Sequence, residues 1–120
     1  IHRRSTYMEK LDTAAEHAVR RFLDLLSDRY DVAHVIVFGS RARGTHRKDS
    51  DLDLAVLLRG DPQRFLDVKQ IMADVAFDAM LESQILISPL PIWVCEWDHP
   101  EGYSNPDLLR RIAAEGIWLI

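Results

Sequence analysis

Two aspartates, Asp51 and Asp53, stand at the start of an apolar run, with ten residues between them and the preceding Gly39–Ser40 pair. In an extended chain, residues two apart project from the same face at about 7 Å between Cα atoms. Carboxylates that close repel each other unless a cation lies between them, and oxygen ligands of this kind suit Mg²⁺ or Mn²⁺. The pair is therefore a candidate divalent-cation site.

The Gly39–Ser40 pair is a candidate phosphate site. Glycine has no Cβ, so backbone can approach a bulky anion closely at Gly39. We expect Ser40 to cap a short helix through Gly44, whose free N–H groups would face the phosphate. Guanidinium groups nearby would add charge-assisted hydrogen bonds. The basic residues that follow the turn are Arg41, Arg43, Arg47 and Lys48.

Two predicted strands position these groups. Residues 34–38 are β-branched or aromatic and residues 52–58 are apolar, so both segments read as buried strands. A turn and a solvated acidic strand end also occur without any function. The apolar run after Asp53 argues against that reading, since an interior strand that begins with two acids calls for a cation.

The remaining elements follow from apolar spacing and capping residues. Helical spacing predicts a helix from Met8 to about Asp28 and a second from Pro62, capped by Asp61, to about Glu82. A third strand is expected at 84–87, broken by prolines and resuming at 92–96. Asn105 should cap a last helix that ends at Gly116, and the apolar tail 117–120 must be buried. The prolines are Pro89 and Pro91, and Phe65 is expected on the inner face of the second helix.

This order of elements predicts an α+β fold, with a small mixed β-sheet backed by helices on one face. The 120 residues suit a single domain, 1–120. Met8 offers a natural start, and residues 1–7 would then be an extension or a tag remnant.

Composition excludes several classes of protein. The net charge of −4 gives no global basic field, so nucleic acid is not an expected partner. A single cysteine, Cys95, excludes an internal disulfide and suits a reducing compartment. No stretch reaches membrane-spanning length and no signal-peptide pattern is present, so we expect a cytoplasmic protein without membrane association.

The segment HVIVFGSRARGTHRKDSDLDLAVLL resembles the signature of the DNA polymerase β-like nucleotidyltransferase superfamily, and within it the minimal nucleotidyltransferases (MNT). Gly39, Ser40, Asp51 and Asp53 match that signature without a gap, and Arg41-x-Arg43-Gly44 and Ser50 extend the match. The resemblance implies the nucleotidyltransferase fold, with ATP or another nucleoside triphosphate as substrate. It implies that Ser40 holds the triphosphate and that Asp51 and Asp53 bind two Mg²⁺ ions as the catalytic carboxylates. Gly39, Arg41, Arg43 and Ser50 would complete the nucleotide site.

The chain departs from this family at one position. Full members carry a third carboxylate on a later strand, whereas the matching strand here contains none. Glu82 and Glu96 are the candidates for a third ligand, with Asp98 as a further alternative, although each reads equally as a solvated surface acid.

Two classes of function remain open. One is an enzyme that transfers a nucleoside monophosphate, such as AMP from ATP, to an acceptor hydroxyl. Minimal members resemble the antitoxin of HEPN–MNT toxin–antitoxin pairs, so a HEPN-type protein partner, or a homodimer, would supply the acceptor or the missing wall of the cleft. The other is a catalytically degenerate module that binds nucleotide or neutralises a partner by contact.

Overall fold

The computed structural model describes residues 11–47 and 50–120, and its centre is a four-stranded mixed sheet. The strands are β1 (Val32–Phe38), β2 (Leu52–Leu58), β3 (Ile87–Trp93) and β4 (Ile117–Trp118), and across the sheet they lie in the order β3-β2-β1-β4. β1 is antiparallel to β2 and β4, whereas β2 and β3 are parallel. The α+β class with a small mixed sheet is confirmed. The predictions for residues 1–7 and Lys48 lie outside the described residues.

β2 is an interior strand, as its unbroken apolar run predicts. β1 flanks it on one side and β3 on the other. Alternate residues point to opposite faces, so Leu54 and Val56 enter one core while Ala55 and Leu57 enter the other. A strand buried on both faces has to be apolar throughout, and this is why the two aspartates stand out at its beginning.

Two long helices cover one face of the sheet. They are α1 (Thr13–Leu26) and α3 (Phe65–Ser83), and the short helix α2 (Gly39–Arg43) lies between them in the chain. Asp12 caps α1 by accepting a hydrogen bond from the Ala15 amide at 2.8 Å. Their inner residues pack together between the helices and the sheet, among them Ala18, Phe22, Leu26, Val68, Met72 and Val75.

The predicted start of the second helix at Pro62 is wrong. Residues 61–64 are all exposed, so a helical turn there would bury no apolar side chain to offset its ordering cost. The helix begins instead at Phe65, which is 46% exposed rather than on the inner face.

β3 continues through both prolines, so the predicted break is wrong. The Leu52 amide donates to the Leu86 carbonyl at 2.9 Å, which sets the alternation of β3: its even-numbered residues bond to β2 and its odd-numbered residues face outward. Pro89 and Pro91 therefore stand where the missing N–H would point away from the sheet. Proline is tolerated at such outer positions of an edge strand.

The second face of the sheet is covered by short helices that the sequence did not predict on that side. They are α4 (Val94–Asp98), a single 3₁₀ turn (Pro100–Gly102) and α5 (Pro106–Glu115). Leu109 and Ile112 of α5 pack on Ile36, Ala55 and Leu57. The expected Asn105 cap is confirmed by a 3.3 Å hydrogen bond from the Leu108 amide.

The apolar tail is buried only in part, since Ile117, Trp118 and Ile120 are half-buried. β4 pairs with Ile36 and Val37, and Leu119 is fully buried in the first core. In the ranges that the structure describes, no helix has the length and apolar character needed to cross a bilayer.

Candidate active site

The turn after β1 is built by a glycine in the left-handed region. Gly39 has φ of +70° and begins the short helix α2 (Gly39–Arg43), which ends at Gly44 with φ of +74°. Because the helix already starts at Gly39, Ser40 lies inside it, and the helix has no side-chain cap. The predicted capping role of Ser40 is therefore wrong, although Ser40 still lies in the first turn.

Asp53 lies directly against this turn. In the sheet its Cα is paired with that of Phe38, the residue before Gly39. A Cβ added to Gly39 would come within 2.3 Å of the Asp53 Oδ2 atom. The carboxylate thus occupies the space that a side chain at position 39 would need, and only glycine permits this approach.

The two aspartates interact electrostatically. Partial burial, followed by repulsion from Asp51, raises the pKa of Asp53 above its ordinary value, while Arg43 and Lys69 oppose the shift. Asp51 itself is exposed. Burial and the neighbouring carboxylate therefore oppose ionisation of Asp53, and a bound cation would favour its charged form.

The raised pKa predicts a pH-dependent stability. Since the native pKa lies above the unfolded one, the fold opposes ionisation of Asp53, and stability is lost as pH rises through the interval from about 4 upward to the native value. In metal-free buffer at pH 7 we expect Asp53→Asn to raise the melting temperature relative to the wild type. That gain should vanish below pH 4, where both states are protonated.

Thermal melts at several pH values measure this effect. Asp28→Asn is the matched control, because Asp28 is an exposed acid away from the pair, and it should leave the melting temperature unchanged. A gain for Asp53→Asn that increases on acidification would contradict the assigned sign.

Arg41 is buried under the site rather than open to it. Its side chain is 4% exposed, its Nη2 donates to the Ser50 carbonyl at 2.8 Å, and its Nη1 lies 3.6 Å from Asp12 Oδ2. Ser50 in turn accepts the Arg47 amide on its hydroxyl at 2.9 Å. Arg41 and Ser50 therefore fix the loop before Asp51 to α2, whereas the sequence predicted that both contact nucleotide.

Arg43 is the guanidinium that remains at the surface. It is exposed, close enough to lower the pKa of Asp53, and its Nη1 lies 3.7 Å from Glu115 Oε2 on α5. Beneath this pair lies a cavity of about 160 Å³ between α2 and α5. A larger cavity of about 810 Å³ lies at the other end of β1, around Val32 and Ile120. Neither Asp51 nor Asp53 lines it.

The β3 residue paired with Asp53 is Ser88, so no carboxylate stands beside Asp53 on that strand. The three predicted alternatives lie in other contacts, and Asp98 borders a cavity with His34 and Leu57, toward the far end of β1 from Asp53. Glu82 forms an ion pair with Arg21 at 2.9 Å, and Glu96 accepts the Trp93 amide at 2.9 Å. Within residues 11–47 and 50–120, no three acidic, histidine or cysteine side chains converge as a metal site.

Lys69 is a residue near the site that sequence reasoning missed. Its ammonium group donates to the outward Pro89 carbonyl at 2.5 Å and is close enough to lower the pKa of Asp53. The available signal was that Lys69 is the only basic residue between 65 and 83, placed at the margin of the inner face. Its proximity to β3 depends on how α3 crosses the sheet edge.

Asp51 and Asp53 fit a divalent cation as part of its ligand set. Their carboxylates are hard oxygen donors, and Mg²⁺ is commonly held by one or two carboxylates plus waters and substrate phosphates. The absence of a third protein ligand among the described residues is compatible with that mode of binding.

Comparison with known proteins gives three findings. The model of a nucleotidyltransferase domain family matches residues 19–115. Two proteins of Methanocaldococcus jannaschii, both named putative protein adenylyltransferase, are similar to this chain. MJ1305 is 37% identical over a match that covers 50% of this chain and 41% of its own length. MJ0141 is 39% identical over a match that covers 55% of this chain and 63% of its own length. The chain thus spans less than two thirds of either relative. A solved putative nucleotidyltransferase from Sulfolobus solfataricus covers 74% of this chain and 81% of its own, at 18% identity and a TM-score of 0.41.

Proposed function

The chain belongs to the nucleotidyltransferase domain family, which matches most of its length, and we propose that it transfers AMP from ATP to a hydroxyl group of an acceptor protein, with release of pyrophosphate. The names of the two archaeal relatives, protein adenylyltransferases, support ATP as the donor and a protein as the acceptor. The free Cys95 suits a reducing compartment, and we propose that the reaction takes place in the cytoplasm.

One observation carries the proposal: the Asp53 carboxylate lies against the backbone of Gly39, with Asp51 beside it and Arg43 within electrostatic range. This arrangement places the acidic pair beside a turn whose first residue, Gly39, has no Cβ. A metal-bound nucleoside triphosphate needs both the turn and the acidic pair. Its phosphates require hydrogen-bond donors, and its metal ion requires carboxylate ligands.

Each residue then has a distinct role. The Ser40 hydroxyl and the Gly39–Ser40 amides would hold the β- and γ-phosphates. Asp51 and Asp53 would hold Mg²⁺ or Mn²⁺, which supplies Lewis-acid polarisation of the phosphate when bound. Arg43 would leave its ion pair with Glu115 and offset the negative charge on the leaving pyrophosphate.

We further propose that the acceptor hydroxyl belongs to a HEPN-type partner, as in HEPN–MNT toxin–antitoxin pairs, with tyrosine as the residue modified. The support is the match of Gly39, Ser40, Asp51 and Asp53 to the signature of the minimal nucleotidyltransferases.

The alternative proposal is a degenerate module that binds nucleotide or a partner without transfer. The pairing of Asp53 with Ser88 rather than with an acid favours it, because β3 then supplies no carboxylate that would assist metal binding or proton transfer.

The two proposals are separated by incubating the protein, Mg²⁺ and the product of the neighbouring gene with ATP labelled on either the α- or the γ-phosphate. Adenylyl transfer places the α label on the neighbour and releases the γ label as pyrophosphate. Tight ATP binding with no α label on any protein would support the degenerate module instead. Label transferred from the γ position would contradict both.

A further inference from the structure

Helix α3 is apolar on two opposite sides, and only one of them is covered. Val68, Met72 and Val75 pack into the core. On the other side Leu66, Phe77 and Leu81 are 69%, 52% and 62% exposed. Together with the exposed Ala73 they form what we call the outer stripe. Their spacings of seven, four and four residues keep them within about 80° of the helix circumference.

A stripe of this kind is unusual on an uncovered helix. A surface helix normally presents charged and polar residues opposite its buried face, and apolar character all round is typical of a helix buried on both sides. Isolated exposed leucines need no explanation, but three large apolar side chains on one helix face mark an interaction surface, here with Ala73 and the polar Gln70 between Leu66 and Phe77. The residues of the outer stripe have the helical spacing at which the apolar face of a second helix could pack against them.

A row of acids borders the stripe on one side. Asp67, Asp74 and Asp78 lie along that flank at helical spacing. Asp74 accepts a hydrogen bond from Gln70 at 3.1 Å, and within the described ranges neither Asp74 nor Asp78 forms an ion pair. The one basic residue of α3, Lys69, is turned away to the Pro89 carbonyl. Asp67 lies 3.9 Å from Arg64 Nε at the start of the helix, so the negative charge of the flank that its own helix leaves unpaired is that of Asp74 and Asp78.

This charge pattern disfavours a second copy of the chain as the occupant. In an antiparallel two-fold pair of helices each flank meets its own equivalent, so the acidic row would face an acidic row. In a parallel pair it would face the opposite flank, where Lys69 is already engaged. Like charges directly opposed across an interface suppress association.

We propose that the outer stripe docks an amphipathic helix of a different protein, with an apolar seam against Leu66, Phe77 and Leu81 and a lysine- or arginine-rich flank against the acidic row. The inference goes beyond the proposed function, because no residue of the stripe or the row belongs to the candidate active site. It stands or falls independently of nucleotide transfer.

The test uses two synthetic helical peptides of about three heptads that share a leucine seam and differ only in one flank, which is lysine in the first and glutamate in the second. Binding to the full chain is followed by fluorescence anisotropy. We expect the lysine peptide to bind at least about tenfold more tightly, and added salt to reduce the difference. Phe77→Gln/Leu81→Gln should weaken it by a similar factor.

Charge reversal provides the matched control. Asp74→Lys/Asp78→Lys should invert the preference between the peptides, whereas Asp24→Lys/Asp28→Lys, at exposed acids of another surface, should leave it unchanged. Circular dichroism verifies that each variant is folded, and transfer of the α label from ATP reports the active site separately.

Three results would overturn the proposal. One is equal affinity, or no binding, for the two peptides with folded wild-type protein. Another is peptide binding that persists unchanged in Phe77→Gln/Leu81→Gln. The third is a homodimer in analytical ultracentrifugation that this double variant dissociates, which would assign the outer stripe to a second copy of the chain.

Discussion

Replacing Asp53 with asparagine is expected to lower the rate of nucleotide transfer by about three orders of magnitude, since a lost metal ligand removes several kcal/mol of transition-state stabilisation and each 1.4 kcal/mol is a factor of ten. The fold should survive, because asparagine has the same shape and removes a charge whose partial burial and repulsion from Asp51 raise the pKa of Asp53. Initial rates with α-labelled ATP measure the loss.

The controls for this result lie in the same chain. Asp51→Asn should lose activity to a comparable extent, and Asp28→Asn should retain it, since Asp28 is an exposed acid remote from the turn. Magnesium should raise the melting temperature of the wild type but not of Asp53→Asn. Full transfer activity in Asp53→Asn would refute the assignment of the acidic pair as the catalytic centre.

The second large effect is expected at Gly39. In Gly39→Ala the new Cβ would meet the Asp53 Oδ2 atom at 2.3 Å, so the carboxylate has to move. A displacement of about 1 Å at a reacting centre can cost about a hundredfold in rate. The left-handed backbone at φ of +70° adds a destabilisation of about 1–2 kcal/mol for any residue with a Cβ.

Gly44→Ala separates the two causes. Gly44 has nearly the same backbone conformation, with φ of +74°, but a Cβ there would meet nothing within 4 Å. Both variants should therefore lose stability through the left-handed backbone, with a further loss in Gly39→Ala from its contact with Asp53, whereas only Gly39→Ala should lose transfer activity beyond what unfolding explains. Equal activity in the two variants would mean that the contact between Gly39 and Asp53 does not matter for the reaction.

The local parts of this structure were predictable from sequence. The Asn105 cap, the strand β2 that contains Asp53 and the proximity of Asp53 to Gly39 all depend on residues close in the chain, whereas the Asp12 cap of α1 was not predicted. Short-range patterns report such features well, because helix periodicity, capping and strand alternation are set within a few residues.

The remaining features depend on packing between distant segments. Arg41 is buried because the end of the loop at Ser50 and the start of α1 at Asp12 converge on it, and neither contact has a sequence signal. The prolines of β3 are acceptable only because that strand lies at an edge. Glu96, which the sequence offered as a metal ligand, is used to begin a helix that forms where a strand was expected.

The edge formed by β3 has a further consequence for how these molecules meet one another in a crowded solution. A strand of another molecule would need main-chain N–H donors along the outer side of β3, and Pro89 and Pro91 have none. The outward carbonyl of Pro89 already accepts a hydrogen bond from Lys69. Because uncovered edges seed the cross-β stacking that leads to aggregates, the covalent structure of this strand itself opposes growth of fibrils from the native state.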